Sequence, residues 1–257
     1  YESWNKNSLM RILVIASFIL STLFFNFSFA NQSKIGQQIN SISEINGVEE
    51  YDNLLQKYVS SEGFVDYKGL KTEESTLDEV LAYFSTHEPS ASASKEEKLA
   101  FWINVYNANT IKLILKNYPV SSIMKISSGK AWDVQWIKIG TRTLSLNNIE
   151  NDIIRPQFND PRIHFAVNCA AKSCPPILNH AFKANSLNSQ LDTQTRKFIN
   201  STSNQISANS LKISKIFEWY ADDFGNLANF ISKYSNVKIA LNPRIEYLDY
   251  NWDLNGK

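Results

Sequence analysis

Sulfur and histidine are scarce in this chain: 2 cysteines, 2 methionines and 3 histidines in 257 residues. Two thiols cannot build the dense disulfide framework of a small secreted scaffold, nor a four-cysteine zinc module. Charge of one sign is also lacking, with 26 basic against 25 acidic residues and no run of four Lys or Arg. Nucleic-acid binders are usually basic with clustered charge, so a nucleic-acid partner is excluded. The one long apolar run, Ile12 to Phe25, is interrupted by Ser17, Ser21 and Thr22. It falls short of the ~20 residues that a spanning helix needs.

That run suits a signal peptide instead. Residues before Met10 read as upstream sequence, Arg11 supplies the positive start, and Ser28-Phe-Ala30 places small residues where signal peptidase reads. Cleavage is expected after Ala30, which predicts a periplasmic or secreted protein with no membrane anchor left after cleavage. Lys6, Arg11 and Glu2 would be lost with the signal, so the remainder carries no net charge. Residues 31–48 are polar and read as a leader. Residues 49–257 then form one domain, with 5 Trp, 10 Tyr and 10 Phe to fill its core.

Within that domain, Tyr51, Leu54, Leu55 and Tyr58 recur at helical spacing, as do Leu77, Val80, Leu81 and Phe84. Ser94-Lys-Glu-Glu97 is a capping box opening a helix to about Asn117, ahead of Tyr118-Pro119. Asn104, Asn107 and Asn109 sit among its large apolar residues. Asparagine is a mediocre helix former, so some of these amides, Asn104 and Asn107 above all, are expected to be buried and bonded to other parts of the fold. Trp132 to Leu146 alternates like two strands about Gly140-Thr141, and Asn147 to Glu150 reads as a second capping box. Ile163 to Val167 reads as a strand, Leu187 to Phe198 as a helix, Leu211 to Phe217 as a strand. Leu227 to Tyr234 reads as a helix and Arg244 to Tyr250 as the last strand. The fold class is α+β: a single domain with helices mainly N-terminal, packed on a mainly antiparallel sheet.

Both cysteines and one histidine share the segment Asp160 to Pro176. On a continuous strand, His164 and Cys169 would face opposite sides, whereas the loop after Asn168 can return Cys174 to either face. Cysteine hydrolases need a thiolate, an imidazole and a polar group orienting the ring. Cys174, His164 and Asn104 are therefore the candidate catalytic residues, with Asn107, Glu150, Asn168 and Cys169 as candidate binding residues. In an oxidising compartment Cys169 and Cys174 would instead pair, as a structural disulfide or a redox-active one. His164, Cys169, Cys174 and His180 are zinc-type ligands, but H-x4-C-x4-C-x5-H matches no common zinc module, and no metal or cofactor is expected. Asp223-Phe-Gly225 is read as a turn, and Glu218, Asp222 and Asp223 as a solvated acidic face.

Several segments together resemble a domain-of-unknown-function family, number 547. They are Val65-Asp-Tyr67, Phe101 to Ala108, Leu144 to Glu150, Asp160 to His164 with Cys174-Pro-Pro176, and Tyr247 to Asn255. The resemblance implies a mainly bacterial, often exported domain, related in fold to papain-like and transglutaminase-like proteins. Two departures stand out: Asn151 replaces a histidine frequent after the glutamate, and asparagine holds the position of a papain-type nucleophile. The expected function is thiol-linked chemistry, hydrolysis or acyl transfer, on a peptide or other small ligand carrying amide groups. The alternative is a non-catalytic periplasmic binding or scaffold domain with a Cys169–Cys174 disulfide.

Overall fold

The computed structural model describes residues 46–256. The expected signal peptide and nearly all of the polar leader lie outside the described residues. Among these, no helix is long and apolar enough to cross a membrane.

Three long helices build the N-terminal half of the described residues: α1 Gly47–Tyr58, α2 Glu74–Thr86 and α3 Lys95–Lys116. The capping box forms as the sequence predicts, Ser94 Oγ accepting from the Glu97 amide while Glu97 accepts from the Ser94 amide. Every residue of α3 from Leu99 to Leu115 is buried. A helix enclosed on all sides must satisfy each polar group it carries. Lys112 reaches Glu74 at 2.8 Å and Asp78 at 2.6 Å. Asn109 turns back to the Val105 carbonyl.

Asn104 and Asn107 act as clips between α3 and distant main chain. Asn104 donates to the Phe182 carbonyl at 2.8 Å and accepts from the Phe182 amide at 2.9 Å. Asn107 donates to the Ala166 carbonyl at 2.9 Å and accepts from the Asn168 amide at 2.8 Å. Replacing either by Ala strands two buried main-chain groups. A loss of roughly 1–3 kcal/mol in urea unfolding is expected for each; unchanged midpoints would show that the clips carry no stability.

A hairpin of β1 Ile137–Ile139 and β2 Arg142–Leu144 turns at Gly140, whose φ of 57° suits the first position of a two-residue loop. The next helix starts two residues earlier than the expected capping box. Ser145 and Asn148 cap each other's amides at 3.0 Å, and Asn147 makes no capping bond. The helix then runs as a π-helical stretch, Asn148–Ile154, before one α-helical turn, α4 Arg155–Phe158.

The expected strand over Ile163 to Val167 does not form; Pro161–Phe165 is a 3-10 helix. Asp160 caps it by accepting from the Arg162 amide, and Pro161 occupies the first helical position, where its missing N–H costs nothing. With three residues per turn, neighbouring side chains diverge in three directions. Ile163 enters the core around α3, and Phe165 enters a second core with Phe198, Ile213 and Phe217. His164 lies at the edge of the second core, between Tyr220 and Phe224. The argument that set His164 and Cys169 on opposite faces of a strand therefore lapses.

The second core is bounded by α5 Leu187–Ile199 and a sheet in the order β3 Gln205–Ile206, β4 Ser210–Ser214, β5 Arg244–Leu248. β3 and β4 are antiparallel, and the longer β4–β5 pairing is parallel. The sheets are thus one antiparallel and one mixed, within an α+β domain. The strand expected from Leu211 to Phe217 ends at Ser214, and short helices Ile216–Trp219 and Ala221–Phe224 follow, then Leu227–Tyr234.

Candidate functional site: a thiol pair beside a buried Asp–His unit

The 166–176 loop is fixed from within by Asn168. Its Oδ1 accepts from the Ala170 amide at 2.9 Å, and its Nδ2 donates to the Pro175 carbonyl at 2.8 Å. Ala170 is thereby held at φ 59°, a left-handed conformation that costs a non-glycine residue of order 1–3 kcal/mol. The bend brings the two thiols together: the Cys169 amide donates to Cys174 Sγ at 2.9 Å. From outside, the C-terminal segment lies along the loop, with Asn255 donating its amide to the Ala170 carbonyl and Lys172 donating to the Asp253 carbonyl. That segment delivers Tyr250, whose hydroxyl lies 3.1 Å from Cys169 Sγ.

Both cysteines are free thiols, Cys174 buried and Cys169 half-buried. Burial opposes ionisation of Cys169, but donors outweigh it: the Cys174 thiol, the Tyr250 hydroxyl and the Ala171 amide together bring its pKa below the ordinary thiol value. Burial, and then the neighbouring Cys169 thiolate, push Cys174 well up. Cys169 is thus the thiol that ionises first.

His164 faces Asp223, with Nε2 2.7 Å from Oδ2. Its ring stacks on Tyr220 at 3.9 Å, and it is 2 % exposed. Burial lowers its pKa to about 4, against the opposing pull of Asp223. At neutral pH the imidazole is uncharged, so Nε2–H donates to a carboxylate that Arg155 holds ionised through bonds of 2.7 and 3.0 Å. The remaining nitrogen, Nδ1, is a buried lone pair with no hydrogen-bond partner among the described residues. Asp223, read from sequence as part of a solvated face, is the group that orients the histidine.

Glu150 is buried on the π-helical stretch, where such irregular turns are frequent at functional sites. Its Oε1 accepts from the Tyr220 hydroxyl at 2.7 Å. Burial raises its pKa, against the lowering effect of Tyr220 and Tyr106.

Glu150, His164, Cys169 and Cys174 all line one cavity of about 210 Å³. Asn104, Asn107 and Asn168 do not line it. Their amides are committed to main-chain groups, so Asn104 is no partner for the imidazole, and Asn107 and Asn168 shape the loop from behind. His180 belongs elsewhere, with Nδ1 3.3 Å from Asp52. The residues missed from sequence are Asp223, Arg155, Tyr106, Tyr220 and Tyr250, together with Trp132, Trp219 and Trp252 at the mouth.

Comparison with curated proteins and with solved structures gives no match. Residues 90–199, the stretch that holds Glu150, His164 and both thiols, match the model of the family described as protein of unknown function, DUF547, the family that the sequence resembles.

Proposed function

We propose that this cavity is the active centre of an exported cysteine-dependent enzyme that hydrolyses or transfers acyl groups. The observation that carries the reading is an accessible, low-pKa Cys169 in the same cavity as a neutral imidazole whose free lone pair is fixed by Asp223. Cys169 is the nucleophile. Nδ1 of His164 takes the Cys169 proton as the sulfur adds to a carbonyl carbon, and hands it to the leaving group as the C–S bond is kept and the bond to that group breaks. Water or an amine then gives its proton to Nδ1 as it adds to the thioester, the C–S bond breaks, and Nδ1 returns the proton to the Cys169 sulfur. Asp223 keeps the imidazole in the accepting tautomer throughout. Peptide and other amide carriers are the substrate class, and the compartment is that of the Met10–Ala30 signal.

The test is trapping. Wild-type protein incubated with a panel of activated thioesters and amides should gain the mass of one acyl group, absent after Cys169→Ala and retained after Cys174→Ala. An adduct that survives Cys169→Ala, or no adduct and no turnover across the panel, sinks the reading.

The adjacency of the thiols supports a second reading, thiol–disulfide exchange. Cys169 would attack a substrate disulfide, Cys174 would resolve the mixed disulfide, and the substrate would leave as two thiols. Thiol counting across a series of reduced-to-oxidised glutathione ratios tests it: a readily reduced Cys169–Cys174 bond favours exchange, a bond that resists reduction a structural staple in a binding domain, and thiols that stay free the acyl-transfer reading.

A further inference from the structure

Thiol chemistry by itself does not call for the electrostatic sign of this cavity. Neither Lys nor Arg lines it, while Glu150 and Cys169 both contribute groups that ionise to anions. The rest of the wall is aromatic, from Tyr106 and Tyr220 inside to Trp132, Trp219, Tyr250 and Trp252 at the mouth. The mouth rings form one cluster. Trp219 and Trp252 are stacked at 5.7 Å, and Tyr250 sits 4.8 Å from Trp219 and 4.6 Å from Trp252. Trp132 meets Trp252 edge to face at 5.9 Å. Trp219 is 45 % exposed, an unusual position for the largest apolar side chain unless something covers it.

Aromatic faces are the negative pole of the ring quadrupole, and several of them around one space attract a cation, above all one that carries its charge on methyl or methylene groups. An anion would meet Glu150 and the Cys169 thiolate. A neutral apolar group would leave Glu150, once ionised, with only the Tyr220 and Tyr106 hydroxyls and the charge of Arg155, which does not line the cavity, to balance it against burial. We propose that the cavity recognises an alkylammonium group, seated against Trp219, Trp252 and Tyr250 with Glu150 as its counter-ion. At about 210 Å³ the space is smaller than the ~300–1,000 Å³ of drug-sized sites, so it admits one side-chain terminus or headgroup. The cation is a recognised substituent of the ligand, not the reacting atom. Only its status as part of a substrate rests on the acyl-transfer reading; binding does not.

Titration of the intrinsic tryptophan fluorescence, checked by calorimetry, tests this with choline, its uncharged isostere 3,3-dimethylbutan-1-ol, and the primary amine Nα-acetyl-lysine amide. One of the two cations should bind saturably and at least tenfold tighter than the isostere. Choline ahead of the lysine derivative identifies a quaternary headgroup, and the reverse order a lysine side chain. Trp219→Ala, an exposed position that leaves the core intact, should weaken the cation at least tenfold, as should Glu150→Gln. Neither cation binding more tightly than the isostere, the absence of saturable binding by either cation, or unchanged affinity in Trp219→Ala or Glu150→Gln overturns the proposal. Repeating the titration with Cys169→Ala separates the two ideas: retained cation selectivity in a protein that forms no acyl adduct supports recognition on its own, whatever becomes of the thiol reading.

Discussion

Asp223→Asn is expected to lower turnover through Cys169 by roughly 10⁴-fold, the size of effect produced when the carboxylate of a serine-protease triad becomes an amide. The reason lies in one proton. Asp223 accepts from Nε2–H, which leaves Nδ1 as the lone pair that takes a proton from the incoming nucleophile. An Asn side chain can present its NH₂ to Nε2, which then must accept, and the proton moves to Nδ1 where the base is needed. Arg155 loses its bidentate partner in the same change. Asp222→Asn, one residue earlier on the exposed side, should leave turnover within a few-fold of wild type. The distinguishing readout is turnover per reactive thiol: a wrong tautomer lowers kcat per titratable Cys169, while a merely loosened fold lowers the number of active sites and leaves turnover per site unchanged. Turnover of Asp223→Asn within tenfold of wild type would remove His164 from the proton path.

Acidification should expose His164 as a cost to the fold. Its pKa is 6.5 for an ordinary histidine and about 4 here, because burial disfavours the charged ring. The folded state binds this proton less readily than the unfolded chain. Above pH 6.5 the stabilising difference is fully present; it is lost as pH falls from 6.5 to about 4. The interval corresponds to about 3 kcal/mol at 1.36 kcal/mol per pH unit. Glu150 works in the opposite direction, since its raised pKa lets the folded state hold a proton more firmly. A comparison isolates the histidine: His164→Gln keeps a donor toward Asp223 but does not titrate. Urea unfolding at pH 7 and pH 4 should show a wild-type loss exceeding that of His164→Gln by a few kcal/mol. Identical pH dependence in the two proteins would refute the assignment.

The sequence made local structure readable where the signal was local. Ser94 and Glu97 announced α3, Gly140 the hairpin, and the asparagines of α3 announced bonds to distant main chain, as Asn104 and Asn107 make. The apolar run from Ile163 to Val167 misled because a short run of this kind suits a strand or a buried helical turn equally. Asp160 and Pro161 held the better clue, a cap and a first-turn proline. Asp223 was out of reach for a different reason. It lies 59 residues from His164, and no periodicity reports which acidic side chain of a cluster turns inward. Tyr250 lay inside a recognised motif, Tyr247 to Asn255, that neither helix nor strand explained. Such an unexplained motif is where a site residue should have been sought.

The segment carrying that motif ties together parts of the chain that are far apart. Tyr67 donates its hydroxyl to Asn255 across 188 residues, and Asn255 reaches Asn168 across 87. Contacts of such separation form late in folding, because long loops must close first. The acidity of Cys169 depends in part on this closure, since the segment delivers Tyr250, while the Cys174 thiol and the Ala171 amide belong to the loop itself. Until residues beyond 249 have docked, the thiol lacks the Tyr250 donor and is less acidic for it. The rate of Cys169 alkylation during refolding is therefore a clock for the docking of the C-terminal segment.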